Sequence, residues 1–215
     1  MELSQPEIIV KRLRILYDLS KSRDEFLHFN NPYEILIATI LSAQTTDKTV
    51  NLVTKELFSR FPSVSDLAKA GIGDVERIIH PTGFFHAKAR NIIAASQMVV
   101  KDFGGEVPDR MEDLVRLPGV GRKTANIVLN HAFSKIEGIA VDTHVRRVSM
   151  RLGLTNQSEP DKIESDLTRV FSPDMWGEIN GLFILHGRRI CTARKPACMA
   201  CVLADICRFV SNPSD

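Results

Sequence analysis

Apolar positions recur along this chain at a helical spacing almost from end to end. Ile9, Leu13, Leu16 and Tyr17 follow a 3.6-residue period behind Pro6, a residue suited to the first turn of a helix. Asn31-Pro32 reads as a cap plus a first-turn proline. Behind it Ile35, Leu36, Ile37, Ile40 and Leu41 are apolar all round, which predicts a fully buried helix. Thr46 to Phe58 keeps Val50, Val53 and Leu57 in step. Two short helices are predicted, one behind Ser63 with its Asp66 and one over Gly73 to Ile79. A long helix is predicted over about His86 to Phe103, stopped by Gly104-Gly105. Further helices are predicted over 110–116, 122–133, 142–152, 160–171 and 174–189. Only Gly138 to Val141 hints at strand alternation, and no internal repeat is present. The fold class predicted is all-α.

The weakest points of the pattern are Ser22 to Asn31 and Ser134 to Gly138, both polar and containing asparagine or glycine. Cutting there leaves a central helical block, with the N-terminal helix and the C-terminal third outside it. Composition is consistent with packed domains: 44% of the 215 residues are apolar and 25% charged, which excludes collagenous and disordered classes. The N-terminal residues lack a basic-then-apolar secretory layout, and no apolar run approaches the ~18 residues of a membrane span. The expectation is a soluble, intracellular (cytoplasmic) protein without signal or transmembrane segment.

The net charge of +2 is too small to indicate a polyanionic partner, but its distribution is uneven. Arg116 to Arg151 holds seven Lys/Arg against two acids, and His186 to Val210 holds five against one. The rest of the chain is therefore acidic. Clustered cations on an acidic background are the footprint of nucleic-acid binding, although two solvated helical faces would give the same count.

One of those clusters contains the most informative stretch, Leu-Val-Arg-Leu-Pro-Gly-Val-Gly-Arg-Lys-Thr-Ala-Asn from Leu114 to Asn126. A short helix ends near Pro118, Gly119 and Gly121 permit a tight turn, and a new helix begins at about Arg122. Glycines there admit backbone angles closed to other residues and let another backbone come close. Free N–H groups at the start of the second helix form a phosphate site, with Arg122 beside it. An ordinary helix–turn–helix corner would also favour the glycines. Lys123 is then a cation in the first turn, where the helix dipole favours anions. It reads either as another phosphate ligand or, if dipole and partial burial lower its pKa, as a nucleophilic amine able to form a Schiff base with a sugar carbon. Asp142, in Val-Asp-Thr-His, stands where a helix starts and is a natural N-cap. Its carboxylate could also stabilise positive charge at C1′ or move protons. His144, Arg146 and Arg147 follow and could reach phosphates.

All four cysteines, Cys191, Cys198, Cys201 and Cys207, fall within 17 residues, spaced C-x6-C-x2-C-x5-C. Without a secretion signal disulfides are not expected. Structural zinc and a [4Fe–4S] cluster both take four thiolates, and the spacing is compatible with either. Arg194-Lys195-Pro196 in the first loop forms a stiff basic projection suited to a phosphate.

Taken together these stretches resemble the endonuclease III family, bifunctional DNA glycosylases and abasic-site lyases with a helix-hairpin-helix motif. The resemblance runs over essentially the whole chain. It is carried by Leu36 to Asp47, Leu117 to Asn126, Ile139 to His144, and Leu185-His186-Gly187-Arg188 leading into the cysteines. It implies two helical domains with DNA bound in the cleft between them. A six-helix barrel over 24–136 would carry the hairpin at about 111–130. An iron–sulfur domain would join 1–23 to 137–215. It further implies a [4Fe–4S] cluster on the four cysteines, Lys123 as nucleophile and Asp142 as its catalytic partner. The partner implied is damaged double-stranded DNA, and the state a monomer. Gln44 matches the position that fills the gap left by a flipped nucleotide, and Phe84 the loop residue that wedges opposite, where aliphatic residues are usual. Leu117, Gly119, Val120, Gly121, Arg122, His144, Arg146, Arg194 and Lys195 are the remaining expected DNA contacts. Oxidised pyrimidines are the substrate the resemblance implies.

Two other functions compete. A monofunctional adenine-type mismatch glycosylase lacks the lysine and carries a glutamate where this chain has Ser42-Ala43-Gln44. A non-catalytic helix-hairpin-helix DNA-binding module would leave Lys123 and Asp142 incidental.

Overall fold

A computed structural model describes residues 3–211 of the chain. Twelve α-helices run through these residues, and among them no strand occurs. In order they are α1 (Gln5–Leu16), α2 (Pro32–Leu41), α3 (Asp47–Arg60), α4 (Val64–Ala68), α5 (Ile72–Ile79) and α6 (Phe85–Asp102). Then follow α7 (Met111–Leu114), α8 (Arg122–Phe133), α9 (Thr143–Leu152), α10 (Pro160–Val170), α11 (Trp176–Arg189) and α12 (Arg208–Ser211). Among the described residues no helix is long and apolar enough to cross a membrane.

Local chemistry sets these bounds. The Asn31 side chain accepts from the Glu34 N–H at 2.9 Å, and Pro32 opens α2. Ser63 and Asp66 form a reciprocal capping box at α4, with bonds of 3.1 and 3.2 Å between each side chain and the other's N–H. Gly104 and Gly105, at φ 64° and 90°, end α6 as their pairing predicts, and the Gly105 N–H returns to the Val99 carbonyl at 3.0 Å. The short alternation over Gly138 to Val141 forms no strand, in keeping with the all-α class. Ile139, Ala140 and Val141 are buried in an irregular connection, and the Asn180 side chain donates to the Ala140 carbonyl at 2.8 Å. Burial on all sides, not pairing to another strand, explains their apolar character.

The chain divides into two compact units, one of Arg23–Glu137 and the other joining Met1–Ser22 to Gly138–Asp215. In the continuous unit α2 is the core helix. Its residues from Tyr33 to Leu41 are buried apart from Glu34, and it packs on α8, α6 and α3. Leu36, Ile37, Leu57, Leu67, Ile79, Ile92 and Leu129 close the core around it. Each aliphatic side chain taken fully out of water contributes about 1.5–3 kcal/mol, so this helix alone anchors the unit.

In the discontinuous unit α11 packs against α9 and α1. Gly187 allows the first of these contacts, because a Cβ there would lie 2.9 Å from Nδ1 of His144. Helix α1 is fastened by paired charges. Arg12 meets both carboxylate oxygens of Asp205 at 2.5 and 3.0 Å, and Arg14 pairs with Glu178. Such exposed pairs add little each, but they fix which face of α1 turns inward.

Candidate functional site

The hairpin forms as the sequence predicts: α7, a turn over 115–121, then α8 beginning at Arg122. Gly119 is the residue that the turn cannot replace. It sits at φ 81°, and a Cβ would lie 3.1 Å from Asn91 and 3.2 Å from Ile40. Gly121 behaves differently. Its backbone is extended at φ −97°, nothing would meet a Cβ there, and it caps α8 without a side-chain bond. Its bareness leaves the helix start open and is not needed for the turn. The side chains of Leu117 and Val120 are buried in the core at 2% and 7% exposure, which leaves their backbones as the part of the turn that faces outward.

Arg122 and Lys123 are exposed in the first turn of α8, and no acidic residue shares that turn. Two cations therefore face the positive end of the helix dipole, an arrangement that an anionic ligand would relieve. The Lys123 side chain is exposed within its unit, so the partial burial that one of its two readings invokes does not come from that unit.

Asp142 is the N-cap of α9. Its Oδ1 accepts from the N–H groups of His144 and Val145, both at 2.8 Å. Both bonds go to one oxygen, which leaves Oδ2 outside the cap. His144 is half-buried, with Nδ1 at 3.1 Å from a guanidinium nitrogen of Arg147. Arg147 is occupied internally, donating to the carbonyls of Cys191 and Gly187 at 2.9 Å each. Arg146 is exposed and points to solvent, as do Arg194 and Lys195 in the loop between the first two cysteines. That loop is braced from within: the Thr192 hydroxyl donates to the Lys195 carbonyl at 2.7 Å, and Arg151 to the carbonyls of Thr192 and Ala193 at 2.8 and 3.0 Å.

Gln44 and Phe84 lie in two loops of the continuous unit. Both are exposed, Phe84 at 71%, which removes core packing as its explanation. Both also hold left-handed backbone angles, φ 54° and 47°.

The four cysteines are unpaired by disulfides and line one cavity, shared with Arg151, Leu152, His186 and Phe209. Burial pushes the thiols of Cys201 and Cys207 up, so ionising them in place needs a compensating positive centre. Among the described residues no three His, Cys, Asp or Glu side chains are spaced to hold one metal ion. A tetrahedral zinc needs all four sulfurs about 2.3 Å from a single centre. A cluster presents a separate iron to each thiolate, so ligands spread round one cavity fit it better.

Sequence reasoning missed the supports of this cavity. The guanidinium of Arg151 lies 3.4 Å from Cys191 Sγ and 4.5 Å above the Phe209 ring. His186 is buried, and burial pushes its pKa down to about 4, which keeps the ring neutral. One nitrogen faces the Tyr17 hydroxyl at 3.0 Å and the other faces Cys201 Sγ at 3.5 Å. Toward a cysteine thiolate, which can only accept, a neutral ring donates from Nε2 and then accepts from the tyrosine at Nδ1. The available signal was a lone histidine directly after the apolar run Phe183 to Leu185, four residues short of Ile190 and the cysteines.

A model of the HhH-GPD superfamily base excision DNA repair proteins matches residues 37–173, and one of the iron–sulfur binding domain of endonuclease III matches 191–207. Endonuclease III of Synechocystis sp. is 50% identical over 181 residues, 84% of this chain and 83% of that protein. Endonuclease III of Rickettsia felis is 37% identical over 209 residues, 97% of this chain and 98% of its own. Among solved structures, a trapped endonuclease III–DNA covalent intermediate superposes with a TM-score of 0.83 at 37% identity, covering 95% of this chain and 99% of that one.

Proposed function

The chain belongs to the endonuclease III family, within the HhH-GPD superfamily of base excision DNA repair proteins, and on that premise we propose that it excises oxidised pyrimidines from damaged duplex DNA as a monomer, Lys123 acting as nucleophile and Asp142 as its partner. It is a DNA glycosylase with abasic-site lyase activity, and it binds a [4Fe–4S] cluster.

The observation that carries the residue assignment is the first turn of α8: two cations, no acid, and an uncapped glycine at its start. A phosphate at that turn would hold the sugar of a neighbouring nucleotide beside Lys123 Nζ. The amine, once deprotonated, attacks C1′. The N-glycosidic bond breaks and the base leaves with its electron pair, to be protonated. Once the nitrogen has lost a proton, its electron pair forms the C=N bond as the C1′–O4′ bond breaks and O4′ takes up the proton, leaving a protonated imine between Nζ and C1′. A proton then departs from C2′ and the C3′–O bond breaks, releasing the strand with its phosphate. Water finally hydrolyses the imine and restores the lysine. Asp142 brings a carboxylate that balances positive charge at C1′ and accepts a proton.

Gln44 and Phe84 are read as the side chains that enter the duplex when the lesion leaves the stack, an exchange that offsets unstacking. Cys191, Cys198, Cys201 and Cys207 would hold the cluster, which supplies cross-linking of the C-terminal segment and no step of the excision. The continuous unit is read as the six-helix barrel domain and the other as the iron–sulfur domain. A monofunctional adenine-type enzyme fits less well, because Lys123 stands at the hairpin and no glutamate occupies 42–44.

Borohydride added during reaction with thymine-glycol duplex tests the assignment. A covalent protein–DNA adduct is expected, and none from Lys123→Ala. Undiminished trapping by that variant would refute the nucleophile. A panel of lesion duplexes, read by strand incision, tests the preference for oxidised pyrimidines.

A further inference from the structure

Three non-glycine residues among those described take left-handed backbone angles. Ser134 closes the C-terminus of α8, a common place for such an angle. Gln44 and Phe84 have no such excuse. Each L-residue in that conformation stores strain, which persists only where neighbouring structure holds it. Both are exposed at loop tips, so their own side chains are not what holds them.

What lies beneath the two tips is one buried lysine. Lys88, in the first turn of α6, is 5% exposed. Its ammonium donates to the Thr45 hydroxyl at 2.6 Å and to the Thr82 carbonyl at 2.9 Å. The Thr45 hydroxyl itself donates to that same Thr82 carbonyl at 2.5 Å, which closes a triangle. Thr45 follows Gln44 directly, and Thr82 stands two residues before Phe84. Thr82 is 2% exposed and tied down by its own hydroxyl, which donates to the Ile79 carbonyl at 2.8 Å. The triangle thus joins the loop after α2 to the loop before α6 at the one point where both are near their strained residues.

A neutral side chain could fill the same space without cost. Burying an ammonium with a hydroxyl and a carbonyl for partners is unfavourable, and burial lowers the Lys88 pKa accordingly. An apolar filler would, however, leave the Thr82 carbonyl with the Thr45 hydroxyl alone, and the two loops without their common donor. Charge-assisted bonds are the strong ones, and this site uses two of them to fasten loop to loop.

We propose that Lys88 is a positioning residue for lesion extrusion: by clamping Thr45 to Thr82 it holds Gln44 and Phe84 in the conformations from which they enter the duplex. The inference rests on the reading of those two residues given above. Lys88 touches no DNA in this scheme. It governs how readily the lesion leaves the stack and leaves the lysine chemistry at Lys123 alone.

The test uses the full chain with its cluster in place. Lys88→Met, Thr45→Val, Gln44→Ala and Phe84→Ala are compared with wild type on two substrates: a thymine-glycol duplex, and a single-stranded oligonucleotide carrying a preformed abasic site. The second needs no base extrusion. Lys88→Met is expected to lose about ten-fold in single-turnover excision from the duplex, the worth of one charge-assisted bond. Cleavage of the single-stranded abasic site should stay within about two-fold, since no group at the reaction centre changes. Thr45→Val removes only a hydroxyl and should fall in the same direction, so it carries the test if Lys88→Met does not fold. Stopped-flow fluorescence of 2-aminopurine beside the lesion should show the lost step as slower unstacking. An equal loss on both substrates would make Lys88 a general structural residue and overturn the proposal. So would full duplex activity in Lys88→Met and Thr45→Val while Gln44→Ala is impaired. If Gln44→Ala and Phe84→Ala both retain duplex activity, the reading of those residues fails first and the clamp has nothing to position.

Discussion

The Tyr17 hydroxyl lies 3.0 Å from Nδ1 of His186, although 169 residues separate them. The contact fixes the imidazole so that its other nitrogen meets Cys201 Sγ, and it makes a residue of α1 a support for a cysteine near the other end of the chain. Donors to a cluster thiolate stabilise the more negative, reduced form and so raise the reduction potential.

His186→Phe should therefore lower the potential of the bound cluster, by on the order of 50 mV for one electron if the bond is worth about 1 kcal/mol. Tyr17→Phe keeps the Nε2 donor but frees the ring, and a smaller shift in the same direction is expected. Voltammetry of the holo-protein on an electrode checks both. An unchanged potential in His186→Phe would show that the 3.5 Å contact has no electronic consequence.

Asp142 combines two roles that substitutions separate. Asparagine caps a helix about as well as aspartate, so Asp142→Asn should keep its unfolding free energy within a few tenths of a kcal/mol. Asp142→Ala should lose about 1 kcal/mol with the cap. Both variants should lose excision, because both lack the carboxylate. Urea unfolding beside single-turnover assays gives the comparison. Full activity in Asp142→Asn would reduce the residue to its cap.

The hairpin glycines should part company in the same way. Gly119→Ala forces a side chain into a left-handed angle against Asn91 and Ile40, and a loss of about 2 kcal/mol or more is expected. Gly121→Ala meets nothing and should lose less, no more than about 1 kcal/mol, the cost of alanine at a helix N-cap. Its methyl group would instead obstruct an approaching phosphate, so affinity for an abasic-analogue duplex should fall. Equal thermal stability of the two variants would contradict the assigned geometry.

Arg194 and Lys195 are exposed on a loop braced from inside by Arg151 and Thr192. If each neutralises one phosphate, changing either to alanine should flatten the plot of log K against log salt by about 0.9, uniformly across sequences. Fluorescence anisotropy over a salt series reads the slope. A slope equal to that of wild type would remove that residue from the interface.

The helices were legible because their ends carry local chemistry: Asn31-Pro32, Ser63 with Asp66, and Gly104-Gly105 mark starts and stops that need no knowledge of the fold. The second hairpin helix was read as 122–133, and α8 spans Arg122–Phe133. Lys88 was illegible for the opposite reason. In sequence it is one of two lysines on an amphipathic helix, and only the arrival of Thr45 from 43 residues away encloses it. The hairpin's Leu117 and Val120 show the intermediate case. The motif located them, but periodicity is lost in a turn, so nothing local said that their side chains point inward. The Gly138 to Val141 alternation was too short to assign, because burial on every side and burial on one face look alike over four residues.

The cysteine-bearing unit is made from both ends of the chain, Met1–Ser22 with Gly138–Asp215, while Arg23–Glu137 is continuous. During synthesis the continuous part can therefore fold as soon as it leaves the ribosome, whereas α1 must wait, unpaired, for Glu178 and Asp205 to be made. The thiols come later than nearly everything they cross-link. Iron loading is then a late assembly event, and a chain released early would carry a finished hairpin yet remain visibly incomplete, with a stranded first helix for quality-control proteases to seize.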